Sequence, residues 1–234
     1  MHVDTIVALD GTGHYRTITE AILAAPSHSN RRYVIYVKKG VYKENIDMKK
    51  KKTNIMLAGD GMGQTIVTGN RNFMQGWTTF RTPTVAVSGK GFIARDMTFC
   101  NTAGPETHQD VALRVDSDQS AFYRCSMEGH QDTLYAHSLR QFYRECNIYG
   151  TIDFIFVQPR GWLEWCGDFA LSTLWYGEYR NYGPGASLSG WVNWTGYHII
   201  QDAATVAFFT VGRFIDGSSW LPNIGVKFTA GLSN

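Results

Sequence analysis

Two aspartates and two glutamines hold the chemistry this chain could perform. Asp132 and Asp153 stand 21 residues apart inside two related stretches, AFYRCSMEGHQDTLY over 121–135 and QFYRECNIYGTIDFIF over 141–156. Gln131 adjoins Asp132, and Gln109 lies 23 residues before it. Carboxylates held a few ångströms apart do not both ionise freely. One pKa rises and the other falls, which supplies an acid and an ionised nucleophile or base at the same pH. Amide N–H groups beside them can stabilise an oxyanion. Together these groups suit ester hydrolysis through a carboxylate nucleophile. The alternative is a structural ladder, in which stacked Asp residues hydrogen-bond along a solenoid without catalysis.

The repeat dictates the elements that must position them. Phe122-Tyr123-Arg124 recurs as Phe142-Tyr143-Arg144 twenty residues on, and Cys125 recurs as Cys146 twenty-one residues on, after one inserted residue. Gly91-Phe92-Ile93-Ala94-Arg95-Asp96-Met97 is a weaker upstream copy. Short strands repeating every 20–25 residues or so predict a solenoid, here a parallel β-helix. Equivalent residues in successive coils then lie about 4.8 Å apart. Asp132 and Asp153 become stacked neighbours, and Gln109 falls one coil earlier on the same face. Further strands are expected at Tyr33-Val34-Ile35-Tyr36-Val37, Ile55-Met56-Leu57, Thr65-Ile66-Val67-Thr68 and Thr84-Val85-Ala86-Val87, each stopped by glycine. One helix precedes them. Thr17-Ile18-Thr19-Glu20 reads as a capping box, with an apolar face at Ile18, Ala21, Ile22 and Ala25 and a stop at Pro26-Ser27.

Composition narrows the remaining classes. The 234 residues suffice for one substantial domain, and a net charge of +2 gives no argument for nucleic acid. No apolar run is long enough for a membrane span, and the N-terminus has no secretory pattern. The run Lys49 to Lys52 is expected to be a solvated loop. Cys100, Cys125, Cys146 and Cys166 form no CxxC pair, which argues against zinc; Cys125 and Cys146 could bond or simply fill the core. Gly59-Asp60-Gly61 reads as a turn rather than a phosphate loop, and no G-x-S-x-G elbow accompanies His130 and His137. Six of the seven tryptophans lie at or after Trp162. That aromatic tail is expected to be irregular and to pack along the solenoid, and Asn193-Trp194-Thr195 in it is a glycosylation sequon.

These stretches resemble the plant-type pectin methylesterase family. The resemblance rests on Asp10-Gly11-Thr12-Gly13, Asn101-Thr102-Ala103-Gly104-Pro105, Val111-Ala112-Leu113-Arg114-Val115, Gln131-Asp132-Thr133-Leu134-Tyr135-Ala136-His137 and Asp153-Phe154-Ile155-Phe156, and in the tail on Gly161-Trp162-Leu163-Glu164-Trp165 and Gly183-Pro184-Gly185-Ala186. It covers nearly the whole chain. It implies an all-β, right-handed parallel β-helix that removes methyl esters from galacturonate units of pectin (homogalacturonan) in the cell wall, outside the cell, without cofactor or metal. Carried over residue by residue, it makes Asp153 the nucleophile and Asp132 the acid, then base. Gln109 and Gln131 become the oxyanion donors, Thr79 a substrate contact, and Tyr135 and Phe156 aromatics of the sugar groove. It also implies a monomer whose partners are the polysaccharide and a proteinaceous inhibitor, with no membrane or nucleic acid.

The resemblance breaks after Phe156. In the family, Asp-Phe-Ile-Phe leads into Gly-Asn-Ala and several more coils carrying Gly-Arg-Pro-Trp. The arginine of that motif hydrogen-bonds the nucleophile, and its tryptophan joins the substrate platform. Here Phe156 runs directly into Val157-Gln158-Pro159-Arg160-Gly161-Trp162, which matches the start of the family's C-terminal region. The chain therefore reads as one pectin methylesterase-like domain over 1–234, with N-terminal and central coils over 1–156, a tail over 157–234 and a seam near 156/157. The resemblance implies that Cys146 has lost its disulfide partner with the missing coils. Two other readings stand beside the esterase: a non-catalytic pectin-binding remnant, and a polygalacturonase-type glycosidase. The glycosidase would need Asn-Thr-Asp and Gly-His-Gly motifs, and this chain has Asn101-Thr102-Ala103 and Gly129-His130-Gln131.

Overall fold

A computed structural model describes residues 2–151, 176–179, 193–224 and 226–232. Asp153, Phe156, Arg160 and Trp162 lie outside the described residues. The chain divides into two compact units, Met1–Ile155 and Phe156–Asn234.

The first unit is a stack of coils whose strands form three parallel ladders. Its strands are β1 (Thr5–Val7), β2 (Tyr33–Val37), β3 (Gly40–Lys43), β4 (Ile46–Met48), β5 (Ile55–Ala58), β6 (Thr65–Gly69), β7 (Val85–Val87), β8 (Ile93–Asn101), β9 (Leu113–Val115), β10 (Ser120–Glu128), β11 (Leu134–Tyr135), β12 (Gln141–Arg144) and β13 (Asn147–Tyr149). The first ladder runs β1-β2-β5-β8-β10-β12. The second runs β3-β6 and continues through the later halves of β8 and β10 to β13. The third runs β4-β7-β9-β11. This is the parallel β-helix that the repeat predicted, and the expected strands at 33–37, 55–57, 65–68 and 84–87 all fall within it.

Side chains alternate across each strand, so inward residues form columns that run up the stack. In the first ladder Ile35, Leu57, Ala94, Phe122 and Tyr143 are consecutive partners. In the second the column is Tyr42, Val67, Phe99, Met127 and Ile148. In the third it is Ile46, Val85, Leu113 and Leu134. All but the last-coil members, Tyr143 and Ile148, are buried, and those two pack against the same core. The Phe122 and Tyr143 rings stack at 4.8 Å and 7°.

The register differs from the sequence repeat in one respect. Phe122 pairs with Tyr143 and Tyr123 with Arg144, a constant step of 21 residues, so the two Phe-Tyr-Arg triplets are one position out of register. The corner between the first and second ladders decides this. Asp96, Arg124 and Glu145 each have positive φ, at 57°, 48° and 52°, and their spacing fixes which residues point inward. A one-residue slip would turn every core side chain to solvent, so identical residues yield to the corner. Close packing sets the corner before: a Cβ at Gly59 would lie 2.3 Å from the Asp96 carbonyl oxygen.

The helix α1 (Ile18–Ala24) carries the expected capping box, with Glu20 N–H donating to Thr17 Oγ1 and Thr17 N–H to Glu20 Oε2. The sequence does not announce two further caps. Glu44 accepts from the Ile18 and Thr19 N–H groups, each at 2.9 Å, satisfying donors that a helix start leaves open. At the other end Lys52 Nζ donates to the Leu23 and Ala25 carbonyls. Lys49, Lys50 and Lys51 are exposed as expected of the lysine run, but Lys52 is buried. Its ammonium is spent on the helix end, where the partial negative charge favours a cation. The buried face of α1, Ile18, Ala21 and Ile22, packs against β1, β2 and β4.

In the second unit β14 (Tyr176–Glu178) pairs in parallel with β15 (Tyr197–Ile199). Three one-turn helices follow: α2 (Ala203–Val206), α3 (Val211–Phe214) and α4 (Gly217–Trp220). Trp220 is buried, with its Nε1–H donating to the Ile215 carbonyl at 2.9 Å.

Candidate functional site

The site grows from the segment that enters β11. Its outward neighbours in the third ladder form a row across the coils: Asp47, Ala86, Arg114 and Tyr135. Asp132 sits just before β11 with φ at 60°, a left-handed conformation that Asp tolerates better than most residues. Such a backbone persists where its surroundings fix it from several sides. On one side the Gln131 carbonyl accepts from Asp110 N–H at 3.1 Å. On the other the Thr133 carbonyl accepts from the Ala112 and Leu113 N–H groups, while Thr133 Oγ1 donates to the Tyr149 carbonyl at 3.2 Å.

The strongest clamp is Asp110, which the sequence reading did not single out. Its carboxylate accepts from Gln131 N–H at 2.5 Å and from His130 N–H at 3.3 Å. Asp110 is fully buried, and no salt bridge reaches it among the described residues. Burial pushes its carboxyl up to about 6, against the pull of the Gln131 and His130 amides and the His130 ring. The His130 Nδ1 atom is also buried and has no hydrogen-bond partner among the described residues. A buried acid one coil below the Gln131-Asp132 pair therefore holds both amides that lead into Asp132. Only the coil-to-coil register brings Asp110 under Gln131, which is why sequence spacing alone missed it.

Gln109 occupies the preceding coil, as expected, but not directly under Asp132. The register of 21 residues sets Val111 opposite Asp132, Asp110 opposite Gln131 and Gln109 opposite His130. The Gln109 carbonyl accepts from Phe73 N–H at 3.1 Å, which ties the loop between β6 and β7 to this coil. Thr79 lies in that loop, and its carbonyl accepts from Thr82 Oγ1. Thr82 Oγ1 in turn bonds Val111 N–H at 3.4 Å. Tyr135 is half-buried beside Arg114 and meets the His137 ring edge-on at 5.1 Å; His137 meets Phe80 at 5.8 Å. Thr79, Gln109, Gln131, Asp132 and Tyr135 thus share one flank of the stack, while Asp153 and Phe156 lie outside the described residues. Among the described residues no group of three metal-ligating side chains is assembled. The patch brings together a carboxylic acid, two carboxamides and aromatic side chains, group types that can serve acyl transfer.

Comparison with known proteins follows the same line. The sequence profile of the family described as Pectinesterase matches residues 4–158 and 156–218. Pectinesterase/pectinesterase inhibitor 22 of Arabidopsis thaliana is 58% identical over 308 aligned positions, covering 100% of this chain and 56% of that protein. Pectinesterase/pectinesterase inhibitor PPE8B of Prunus persica is 46% identical, covering 97% of this chain and 60% of that protein. The chain thus spans less than two thirds of the length of these relatives. The solved structure of pectin methylesterase from carrot superposes with a TM-score of 0.89 at 39% identity, covering 99% of both chains. That of pectin methylesterase PemA from Erwinia chrysanthemi superposes at 0.60 and 28%, covering 66% of this chain and 52% of that one. The 308 positions aligned with the Arabidopsis protein exceed the 234 residues here by 74, so the relative carries at least that many positions without a counterpart in this chain. The two matched stretches meet at 156–158.

Proposed function

Since this chain belongs to the pectinesterase family, we propose that it hydrolyses the methyl esters of galacturonate units in pectin and releases methanol, acting in the cell wall. The Asp153 carboxylate attacks the ester carbonyl. Gln109 and Gln131 donate to the oxyanion that forms. Asp132 gives its proton to the departing methoxide, leaving an acyl-enzyme on Asp153. Asp132, now ionised, takes a proton from water, and the hydroxide frees the galacturonate and restores both carboxyl groups. Thr79, Tyr135 and Phe156 line the sugar groove. No cofactor takes part, the protein works as a monomer, and a proteinaceous inhibitor is its expected protein partner. The observation that supports this reading most is the Gln131-Asp132 segment, fixed in place by the buried Asp110 carboxylate. Fixed donors cost no reorganisation when charge develops.

Turnover is expected to be slow. The family's Gly-Arg-Pro-Trp segment is missing, and a nucleophile without its orienting guanidinium ionises less readily and is poorly positioned. The missing positions favour a second reading, in which the chain binds pectin without turning it over. Methanol release from highly methyl-esterified pectin, compared between the purified chain and Asp153→Ala, separates the two. Slow release that the substitution abolishes supports the esterase. No release from a folded, monodisperse sample supports the binding protein.

A further inference from the structure

Met97, Cys125 and Cys146 follow one another up the stack at the corner between the first and second ladders. Cys125 is the register partner of Met97. The step that sets Tyr123 opposite Arg144 and Ser126 opposite Asn147 also sets Cys125 opposite Cys146. Each cysteine follows a left-handed residue, Arg124 with φ at 48° and Glu145 with φ at 52°, so both side chains leave the corner the same way and turn toward the core. Opposed residues on parallel strands stand about 4.8 Å apart, inside the roughly 4.4–6.8 Å between Cα atoms that a disulfide spans. Both thiols are free, and they hydrogen-bond to each other.

The pair is asymmetric. Cys125 is 0% exposed, and burial pushes its thiol well above the ordinary range. Cys146 is half-buried, and the hydrogen bond from Cys125 holds its thiol below the ordinary range, against burial. The thiolate is the form that attacks a disulfide, so Cys146 is the reachable nucleophile and Cys125 the resolving thiol beside it. Cys100 has neither feature: its register partners are Glu128 and Thr68, and burial pushes its thiol up.

We propose that Cys125 and Cys146 are a reversible oxidation site, forming a disulfide that fastens their two coils to each other. The oxidant is a small-molecule disulfide such as oxidised glutathione. The Cys146 thiolate attacks one of its sulfurs; one glutathione leaves as the thiol and the other stays on Cys146 as a mixed disulfide. Cys125 then attacks Cys146 Sγ and the second glutathione leaves. The protons of the two protein thiols go to the two departing thiolates, so two cysteines are oxidised and one glutathione disulfide is reduced. The bridge closes a loop over 126–145, the segment that carries Gln131, Asp132 and Tyr135, and pins both of its ends. A closed loop also lowers the entropy of the unfolded chain. The chemistry of the pair stands apart from the esterase reading; the cell-wall location proposed above only supplies surroundings in which such a bond persists.

The test incubates the folded whole chain with oxidised glutathione, alkylates the remaining thiols in urea and maps the tryptic peptides by mass spectrometry. Trypsin puts each cysteine in its own peptide: Asp96–Arg114 for Cys100, Cys125–Arg140, Glu145–Arg160, and Gly161–Arg180 for Cys166. The expected product joins Cys125–Arg140 to Glu145–Arg160 and leaves Cys100 alkylated. The thermal midpoint should rise by roughly 5–10 °C, and a reductant should reverse the rise. Cys146→Ser should form no bridge and show no such rise. A bridge from Cys146 to Cys166, glutathione left on Cys146 with Cys125 alkylated, or alkylation of both residues would overturn the proposal. So would a Cys125–Cys146 bridge that leaves the midpoint unmoved, because the coils would then not be fastened by it. If Cys146→Ser does not fold, the peptide map and midpoint of the unchanged chain decide alone.

Discussion

Two carboxylates in the same stack of coils, the half-buried Asp96 and the buried Asp110, are held in opposite ways. Asp96 lies at the corner between the first and second ladders, where Arg124 Nε and Arg95 Nε each donate to it at 2.6 Å. Burial pushes its carboxyl up, but the two guanidiniums outweigh burial and hold it below the ordinary carboxylate range. Asp110 lies one corner away, under Gln131, with backbone amides for partners and no cation in an ion pair among the described residues; burial wins there and its carboxyl rises. The fold can supply either environment. It neutralises charge where the carboxylate only joins coils, and leaves an unneutralised acid where the backbone into Asp132 must be fixed. Perturbed acids of the second kind gather at functional sites.

Four substitutions would break or sharpen that contrast. Asp110→Leu should have the largest effect, because it strands the His130 and Gln131 N–H groups in the interior. A loss of about 3 kcal/mol in urea unfolding at pH 4.5 is expected, and a loss under 1 kcal/mol would mean the amides find other partners. Next comes the pH dependence. Asp110 has a folded pKa near 6, above its ordinary value of 3.8. Its contribution to stability is therefore fully present below the unfolded value and is lost as pH rises through 6. Between pH 4 and 8 the protein should lose about 2 kcal/mol relative to Asp110→Asn, which has no such titration. Asp96 should show the opposite slope, since its folded pKa is depressed. Its stabilisation is present above the unfolded value and disappears as pH falls through the folded one. Asp96→Asn should cost about 1 kcal/mol at pH 7 and little at pH 2.5, a modest figure because Arg95 and Arg124 are 36% and 42% exposed. Thermal midpoints at the two pH values would show a parallel response if the two acids were alike. The smallest effect is expected for Arg95→Gln, about 0.5 kcal/mol by the same measurement, because Arg124 remains on Asp96.

Much of this architecture was legible in the residues. The capping box, the glycine-stopped strands and the 21-residue step from Cys125 to Cys146 are local signals, and they led to α1, the ladders and the stack. Asp132, Gln131 and Gln109 were legible as chemistry because their types are unusual in a strand-rich repeat. What escaped depends on contacts between coils. Asp110 sits in a short run before β9 that looks like any strand entry, and only the register shows that it holds the next coil. The Phe-Tyr-Arg triplets misled by one position because residue identity is visible in a sequence and a left-handed corner is not. Lys52 looked like part of a solvated charge run, yet its ammonium closes a helix 27 residues away at Ala25.

We propose Asp132 as the acid of an ester-hydrolysing patch. Methanol release from methyl-esterified homogalacturonan should be compared between the unchanged protein and Asp132→Asn, each shown to be folded by its thermal midpoint. Slow release by the first and none by the second is the predicted result. Release that Asp132→Asn leaves undiminished would contradict the account, because the fixed segment around residues 130–132 would then have no part in the chemistry.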